Sequence, residues 1–303
     1  VTLGGKLSAV LVAAGSSVGL GNIWRFPYLA AKYGGGIFLL VYIVLAVTFG
    51  YTMIVAETAL GRMTHKSPVS AYGTFAKPGK KSGFLGFGGW INAIIPVLIV
   101  PYYSVIGGWV IKYLFEYICG NGTKLAEDGY FSMFISDGVS AEICFIVFAL
   151  ITLTIIFAGV RNGIERVSKF MMPILVVLSV IIAIYSVTRP GALKGIQYFL
   201  VPNLENFSWM TVVSAMGQMF YSLSIAMGIL VTFGSYMKKE TSIENSTRNV
   251  EVFDTAIAIM AGLMIIPAVF AFSGGDPNTL QAGPSLMFIT IPKVFASMGL
   301  GTV

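Results

Sequence analysis

The sequence predicts an all-α protein that crosses a membrane several times, and three observations carry the prediction. Of its 303 residues 56% are apolar and only 11% are charged, whereas a soluble domain carries about 25% charge; so little charge does not clothe a globule in water. The apolar residues gather into seven runs near the ~20 residues that cross hydrocarbon, at roughly 6–30, 36–60, 86–118, 141–158, 163–187, 208–236 and 249–273. Two of these runs, the first and the sixth, are interrupted near their middle by Gly, Ser and Asn. The N-terminus lacks the layout of a cleavable signal peptide.

The first run holds Gly15-Ser16-Ser17-Val18-Gly19-Leu20-Gly21-Asn22-Ile23-Trp24-Arg25-Phe26-Pro27. In hydrocarbon each unpaired backbone group costs several kcal/mol, so unwound backbone persists only where it lines a protein-enclosed polar cavity. This stretch therefore reads as a binding site; the alternative is close helix packing through Gly15 and Gly19, a small-xxx-small pair. The second run carries Glu57, one turn before Gly61-Arg62, placed to pair with freed backbone N–H groups. The third and fourth bring Cys119 and Cys144 to outer ends, where a disulfide and two free thiols are both open. At the fifth, Gly163 and Pro173 bracket Ile164–Met172, a spacing that fits local unwinding as well as an ordinary kink. The sixth breaks at Tyr221-Ser222-Leu223-Ser224-Ile225-Ala226-Met227-Gly228. Paired broken helices in corresponding positions are the layout of inverted repeats. The seventh holds Asp254, the candidate cation ligand. Beyond Gly274-Gly275-Asp276-Pro277, the moderately apolar stretch 284–303 reads as re-entrant or surface-lying.

Lys and Arg number twelve in the loops of one side, among them Lys6, Arg62, Lys66 and Arg161, and five on the other: Lys32, Lys124, Arg189, Lys194 and Lys293. The richer side is cytoplasmic, with the N-terminus on it, so topology accounts for the net charge of +6 and nucleic-acid binding is not implied. A membrane-embedded enzyme lacks its residues: the sole histidine, His65, lies in a loop, no H-E-x-x-H occurs, and Ser273-Gly274-Gly275-Asp276 lacks the first glycine of G-x-G-D.

Gly19-Leu20-Gly21-Asn22-Ile23-Trp24-Arg25-Phe26-Pro27-Tyr28, Gly34-Gly35-Gly36, Glu57-Thr58-Ala59-Leu60-Gly61-Arg62 and Gly217-Gln218-Met219-Phe220-Tyr221-Ser222-Leu223-Ser224 resemble the signatures of the neurotransmitter:sodium symporter family, in its bacterial, leucine-transporter-like amino-acid branch. The resemblance runs along all 303 residues and implies an inverted-repeat fold with broken first and sixth helices. Residues 1–187 would form the first five-helix repeat, 208–273 two helices of a second, incomplete repeat, and 274–303 an extracellular loop. The chain accordingly reads as C-terminally truncated, with the rest of the second sodium site and the acidic partner of the outer gate beyond Val303.

The resemblance also implies roles. One sodium would lie among Ser17, Asn22, Ser222 and Asp254 and the substrate carboxylate, a second on the carbonyls of Gly15 and Val18. The amino acid would meet Leu20, Gly21 and Tyr103 with its carboxylate and Ser17, Tyr221 and Ser222 with its ammonium. Ile99, Ser224 and Met227 would line its side-chain pocket, with Tyr221 as lid and Arg25 above it as gate. Monoamine carriers have an Asp where Gly19 stands, so Gly19 implies a substrate that brings its own carboxylate: a neutral, mainly hydrophobic L-amino acid. Chloride-dependent relatives resemble the chain at Tyr42, Gln218 and Ser222 but carry Ser at the position of Ala258 and Asn at that of Asp254. Chloride is therefore not expected.

Overall fold

The computed structural model describes residues 19, 21–75, 83–273 and 286–297. Over these the chain is helical, with no strand beyond one antiparallel bridge between Gly35 and Pro202. Among the described residues five helical segments are long and apolar enough to cross a membrane: Gly36–Thr64, Gly86–Ile118, Gly138–Phe157, Asn162–Val187 and Ile243–Ala271. The first and sixth expected spans are absent from that set because neither is one continuous described helix.

A wide π-type turn, Gly21–Arg25, opens into α1 (Phe26–Lys32), where Pro27 sits in the first turn and its missing N–H costs no helical bond. Next, α2 (Gly36–Leu45) passes through a second such turn, Ala46–Gly50, into α3 (Tyr51–Thr64). A short α4 (Pro68–Gly73) precedes α5 (Gly83–Ile118), which runs through Pro96 and Pro101. Beyond the Ile118 end of α5 come α6 (Gly122–Leu125) and α7 (Tyr130–Ser136), and α8 (Gly138–Phe157) returns with no buried residue. A bilayer-spanning helix apolar all round is at ease with few neighbours; here the main one is α5, with the Val160–Glu165 turn and α7 at its ends.

The fifth span starts in the wide turn Val160–Glu165 and continues as α9 (Arg166–Val187). A Cβ on Gly163 would collide with the Ile155 carbonyl oxygen, so close approach explains that glycine. Pro173 lies inside unbroken α9. Within the expected bracket the irregularity is therefore confined to the Gly163 end.

After the amphipathic α10 (Ala192–Leu200), the sixth span divides into α11 (Trp209–Ser222) and α12 (Ile229–Tyr236). Ser208 and Thr211 start α11 with a reciprocal capping box. Ser224, Ala226 and Gly228 take φ of +55°, +62° and +70°, and alternate left-handed residues cannot continue a right-handed helix. The break thus begins at Leu223, two residues beyond the expected Tyr221. Finally α13 (Ile243–Ser273) starts earlier than the apolar run suggests, because Ser242 Oγ accepts from Asn245 N at 3.3 Å and the first turns extend out of the apolar zone. The stretch Leu286–Thr290 and α14 (Ile291–Ser297) dock on the Ile118 end of α5 and on the segment carrying α6 and α7. There Phe288 stacks on Phe131 at 5.3 Å, its carbonyl accepts from Tyr113 Oη at 2.9 Å, and Lys293 pairs with Asp128 at 2.6 Å. With Phe288 and Pro292 buried and Thr290 and Ile291 bordering Ile182, Met264 and Ile265, this part of 284–303 packs into the bundle and does not simply lie on its surface.

The cysteines resolve to free thiols. A Cβ on Gly108 would press on the backbone of Cys144 and Phe145, which levels Cys144 with Gly108. Cys119 lies eleven residues further along, on the order of 16 Å at helical rise, and a disulfide needs Cα atoms within about 7 Å.

Helices α3 and α12 cross in close contact. A Cβ on Gly61 would strike the Val231 carbonyl, and one on Gly234 the Thr58 carbonyl. Gly234→Ala is expected to lower stability by about 1–3 kcal/mol, the usual range for overpacking, read as a lower thermal midpoint in detergent. Gly88→Ala, whose Cβ meets nothing nearer than Tyr72 at 4.0 Å, is expected to leave the midpoint unchanged.

Candidate functional site

Four elements meet at one carboxylate. Asp254 on α13 is fully buried. Its Oδ1 accepts from Asn22 Nδ2 at 2.9 Å, and its Oδ2 accepts from Ser222 Oγ at 2.8 Å and Tyr42 Oη at 3.3 Å. Asn22 Nδ2 also reaches the Asp254 carbonyl at 3.2 Å, while Asn22 Oδ1 accepts from Gly19 N at 3.3 Å and closes the turn ahead of Gly21–Arg25. Ser222 stands at the last helical residue of α11, where carbonyls are released from the helix ladder. The charge on Asp254 thus has three neutral donors and, among the described residues, no cationic partner.

Above this cluster Gln218 ties α11 to the first segment: its Nε2 donates to the Gly21 carbonyl at 2.9 Å and its Oε1 accepts from Arg25 at 2.7 Å. The Arg25 guanidinium lies 5.1 Å from the centre of the Tyr221 ring, and Tyr221 Oη donates to Tyr103 Oη at 2.9 Å. Arg25, Tyr221 and Tyr103 form a polar-aromatic cluster beside the carboxylate. Gly21 is glycine because a Cβ would sit 2.8 Å from the Tyr221 ring. At Gly19 a Cβ would have Tyr103 Oη at 3.7 Å, so space remains there.

The unwound stretch 223–228 is held by side chains from other helices. Ala226 N donates to Glu57 Oε1 at 2.8 Å, and Gly228 N donates to Asn92 Oδ1 at 3.0 Å. Glu57 therefore has the structural task its position suggested. Ser224 is buried; Ile99 and Met227 are half-buried. Met227 borders a recess of about 400 Å³, shared with Pro68, Asn92, Pro96 and Phe233.

The structure thus brings Asn22, Ser222 and Asp254 together, and Gly21, Arg25, Tyr103 and Tyr221 beside them. Gly15, Ser17, Val18 and Leu20 lie outside the described residues. Sequence reasoning missed Gln218 as a bridge and Asn92 as a backbone partner; the signal for the latter was an Asn inside an apolar span. Apart from the Asn22 amide nitrogen, the polar atoms gathered at Asp254 are oxygens of Ser222, Tyr42 and the carboxylate itself, with one negative charge, and oxygen ligands suit a small hard cation. Among the described residues no group of three His, Cys, Asp or Glu side chains suits a transition metal.

Comparisons with known proteins agree with this geometry. A model of the sodium:neurotransmitter symporter family matches residues 2–123 and 132–303. The chain is 36% identical over 301 residues to a Bacillus subtilis protein described as an uncharacterized sodium-dependent transporter, YhdH, covering 98% of this chain and 65% of that protein. It is 28% identical over 338 residues to the human sodium- and chloride-dependent GABA transporter 2, covering 95% of this chain and 54% of that protein. The crystal structure of MhsT in complex with L-phenylalanine superimposes with a TM-score of 0.89 at 37% identity, covering 99% of this chain and 67% of that one. The chain spans about two thirds or less of the length of these relatives. On the match along nearly its whole length, it belongs to the sodium:neurotransmitter symporter family, a family of membrane transporters and not of enzymes.

Proposed function

We propose that the chain forms part of a sodium-coupled symporter of neutral, mainly hydrophobic L-amino acids that works by alternating access. The observation that carries this reading is the buried Asp254 carboxylate, ringed by Asn22, Ser222 and Tyr42, directly beside a broken helix covered by Tyr103, Tyr221 and Arg25. A buried carboxylate next to unwound backbone is suited to a desolvated cation and to the charged ends of a small zwitterion. The names of the bacterial relatives and the phenylalanine bound by MhsT support it.

In this reading one sodium sits among the Ser17 carbonyl, Asn22, Ser222 and Asp254, and a second draws on the Gly15 and Val18 carbonyls. The substrate carboxylate meets the N–H groups of Leu20 and Gly21, the Tyr103 hydroxyl and the first sodium. Its ammonium meets the carbonyls of Ser17, Tyr221 and Ser222. Ile99, Ser224 and Met227 take the side chain, without countercharge and with an adaptable thioether. The N-terminus is cytoplasmic, 1–187 is the first repeat and 208–273 opens the second. Where chloride-dependent relatives use an anion, Asp254 supplies fixed negative charge, and the fully buried Ala258 one turn on offers no hydroxyl donor. The rival reading is an amino-acid sensor or scaffold of the same family without turnover. Sodium-driven uptake into liposomes by the chain extended to its relatives' length separates the two: uptake supports the symporter, and binding without uptake supports the sensor.

Gly19→Asp is expected to abolish amino-acid binding while the fold survives, because the space beside Tyr103 admits the side chain but like charge repels the substrate carboxylate. Binding measured by scintillation proximity at unchanged affinity would remove Gly19 from the site.

Asp254→Asn is expected to weaken sodium binding by about tenfold or more, since a carboxylate ~4 Å from a cation contributes several kcal/mol at intermediate dielectric. Uptake by the wild type is expected to be equal in sodium gluconate and sodium chloride. In the Asp254→Asn, Ala258→Ser double variant it is expected to depend on chloride. A chloride requirement in the wild type would refute the charge-substitution reading.

A further inference from the structure

Only half of the Glu57 carboxyl group is engaged. The residue lies on α3 and is 5% exposed. Its Oε1 accepts from Ala226 N at 2.8 Å, whereas Oε2 is shut off from solvent and meets no donor. At Asp254, by contrast, both oxygens are met, by three side chains.

The elements packed around Glu57 bring no counter-ion. On α4, Tyr72 lies within electrostatic reach of it. Along α3 itself Arg62 is engaged by the Thr241 carbonyl and His65 by the Ser235 carbonyl. Helix α12 carries Tyr236 at its last residue. On α13, Asp254 is held by its own donors, and Glu244, Arg248 and Glu251 lie toward Tyr51. Helix α5 approaches the loop with the neutral Asn92, and its Lys112 and Glu116 pair with each other at 2.6 Å. No ion pair among the described residues includes Glu57. A buried carboxylate with one donor for two oxygens is costly, and a group so placed sheds its charge instead. Protonation at Oε2 leaves Oε1 as a carbonyl oxygen that still accepts from Ala226 N. A neutral hydroxyl without a partner costs far less than an unmet charge.

Charge matters here because of what the loop carries. Ala226, left-handed at φ +62°, stands between Ser224 and Met227, the residues assigned above to the substrate side chain. A carboxylate bonded to Ala226 N would set negative charge beside that pocket and draw cationic side chains into it. We propose that Glu57 is a neutral carboxylic acid, a positioning residue that fixes the 223–228 loop and, by withholding charge, restricts the substrate to amino acids with uncharged side chains. The proton comes from water and rests on Oε2; only an O–H bond is formed. This inference rests on the reading of the site as one for amino acids.

The test uses the chain extended to its relatives' length, in nanodiscs. Infrared spectra near neutral pH need no substrate: the difference between wild type and Glu57→Gln is expected to contain a protonated-carboxyl C=O band, and carboxylate bands in its place would overturn the proposal. Glu57→Asp is a second reference, in which the C=O band is expected to shift and not to vanish. In scintillation proximity binding, Glu57→Ala is expected to lose about tenfold or more in L-phenylalanine affinity, since Ala226 N is left without an acceptor, and Glu57→Gln to recover most of that loss through its amide oxygen. Competition by L-lysine, relative to L-phenylalanine, is expected to differ by less than about threefold between wild type and Glu57→Gln, because neither carries charge at this position. Lysine competing about tenfold better in the wild type marks a charged Glu57 and overturns the proposal. The C=O band without any binding of phenylalanine supports the neutral acid and overturns instead the reading of the site.

Discussion

Burial of the Asp254 carboxylate is the constraint on which the arrangement of the helices depends. A charge taken fully out of water must be met by donors, and no single helix supplies enough of them. Here the donors come from the first segment through Asn22, from α2 through Tyr42 and from the end of α11 through Ser222. Displacing any one of these elements strands a buried charge. The four are therefore fixed relative to one another far more tightly than lipid-like side chains alone achieve, since apolar packing within a bilayer has no hydrophobic drive behind it.

The same logic governs the break between α11 and α12. Left-handed backbone at Ser224 and Ala226 frees N–H groups that hydrocarbon cannot satisfy, and the remedy is again borrowed from other helices: Glu57 from α3 and Asn92 from α5. Glycine contacts then bring α3 against α12 closely enough for Glu57 to reach. Packing, backbone irregularity and the polar site are thus one system. The small residues at Gly61 and Gly234 serve the carboxyl group that supports the loop, and the loop presents Ser222 and Tyr221 to the site.

Much of this protein was legible in its sequence. Span lengths follow from bilayer thickness, and the two interruptions follow from the cost of unpaired backbone in hydrocarbon, so their existence and their link to a polar site were fixed locally. Glu57 and Asp254 announced themselves as charges where charge is expensive. Sequence did not place the break at Leu223 rather than Tyr221, because which residue of the polar run turns left-handed first depends on partners across the bundle, such as Asp254 for Ser222 and Glu57 for Ala226. Nor did it show that Gln218 joins Arg25 to Gly21, that Asn92 holds Gly228, or that Cys119 and Cys144 stand three turns apart, since those depend on the register between helices far apart in the chain. Local chemistry determined which segments cross and where they weaken; only tertiary packing decided which distant partner satisfies each weakened point, because a hydrogen bond spans about 3 Å and that precision is set by the whole set of crossings.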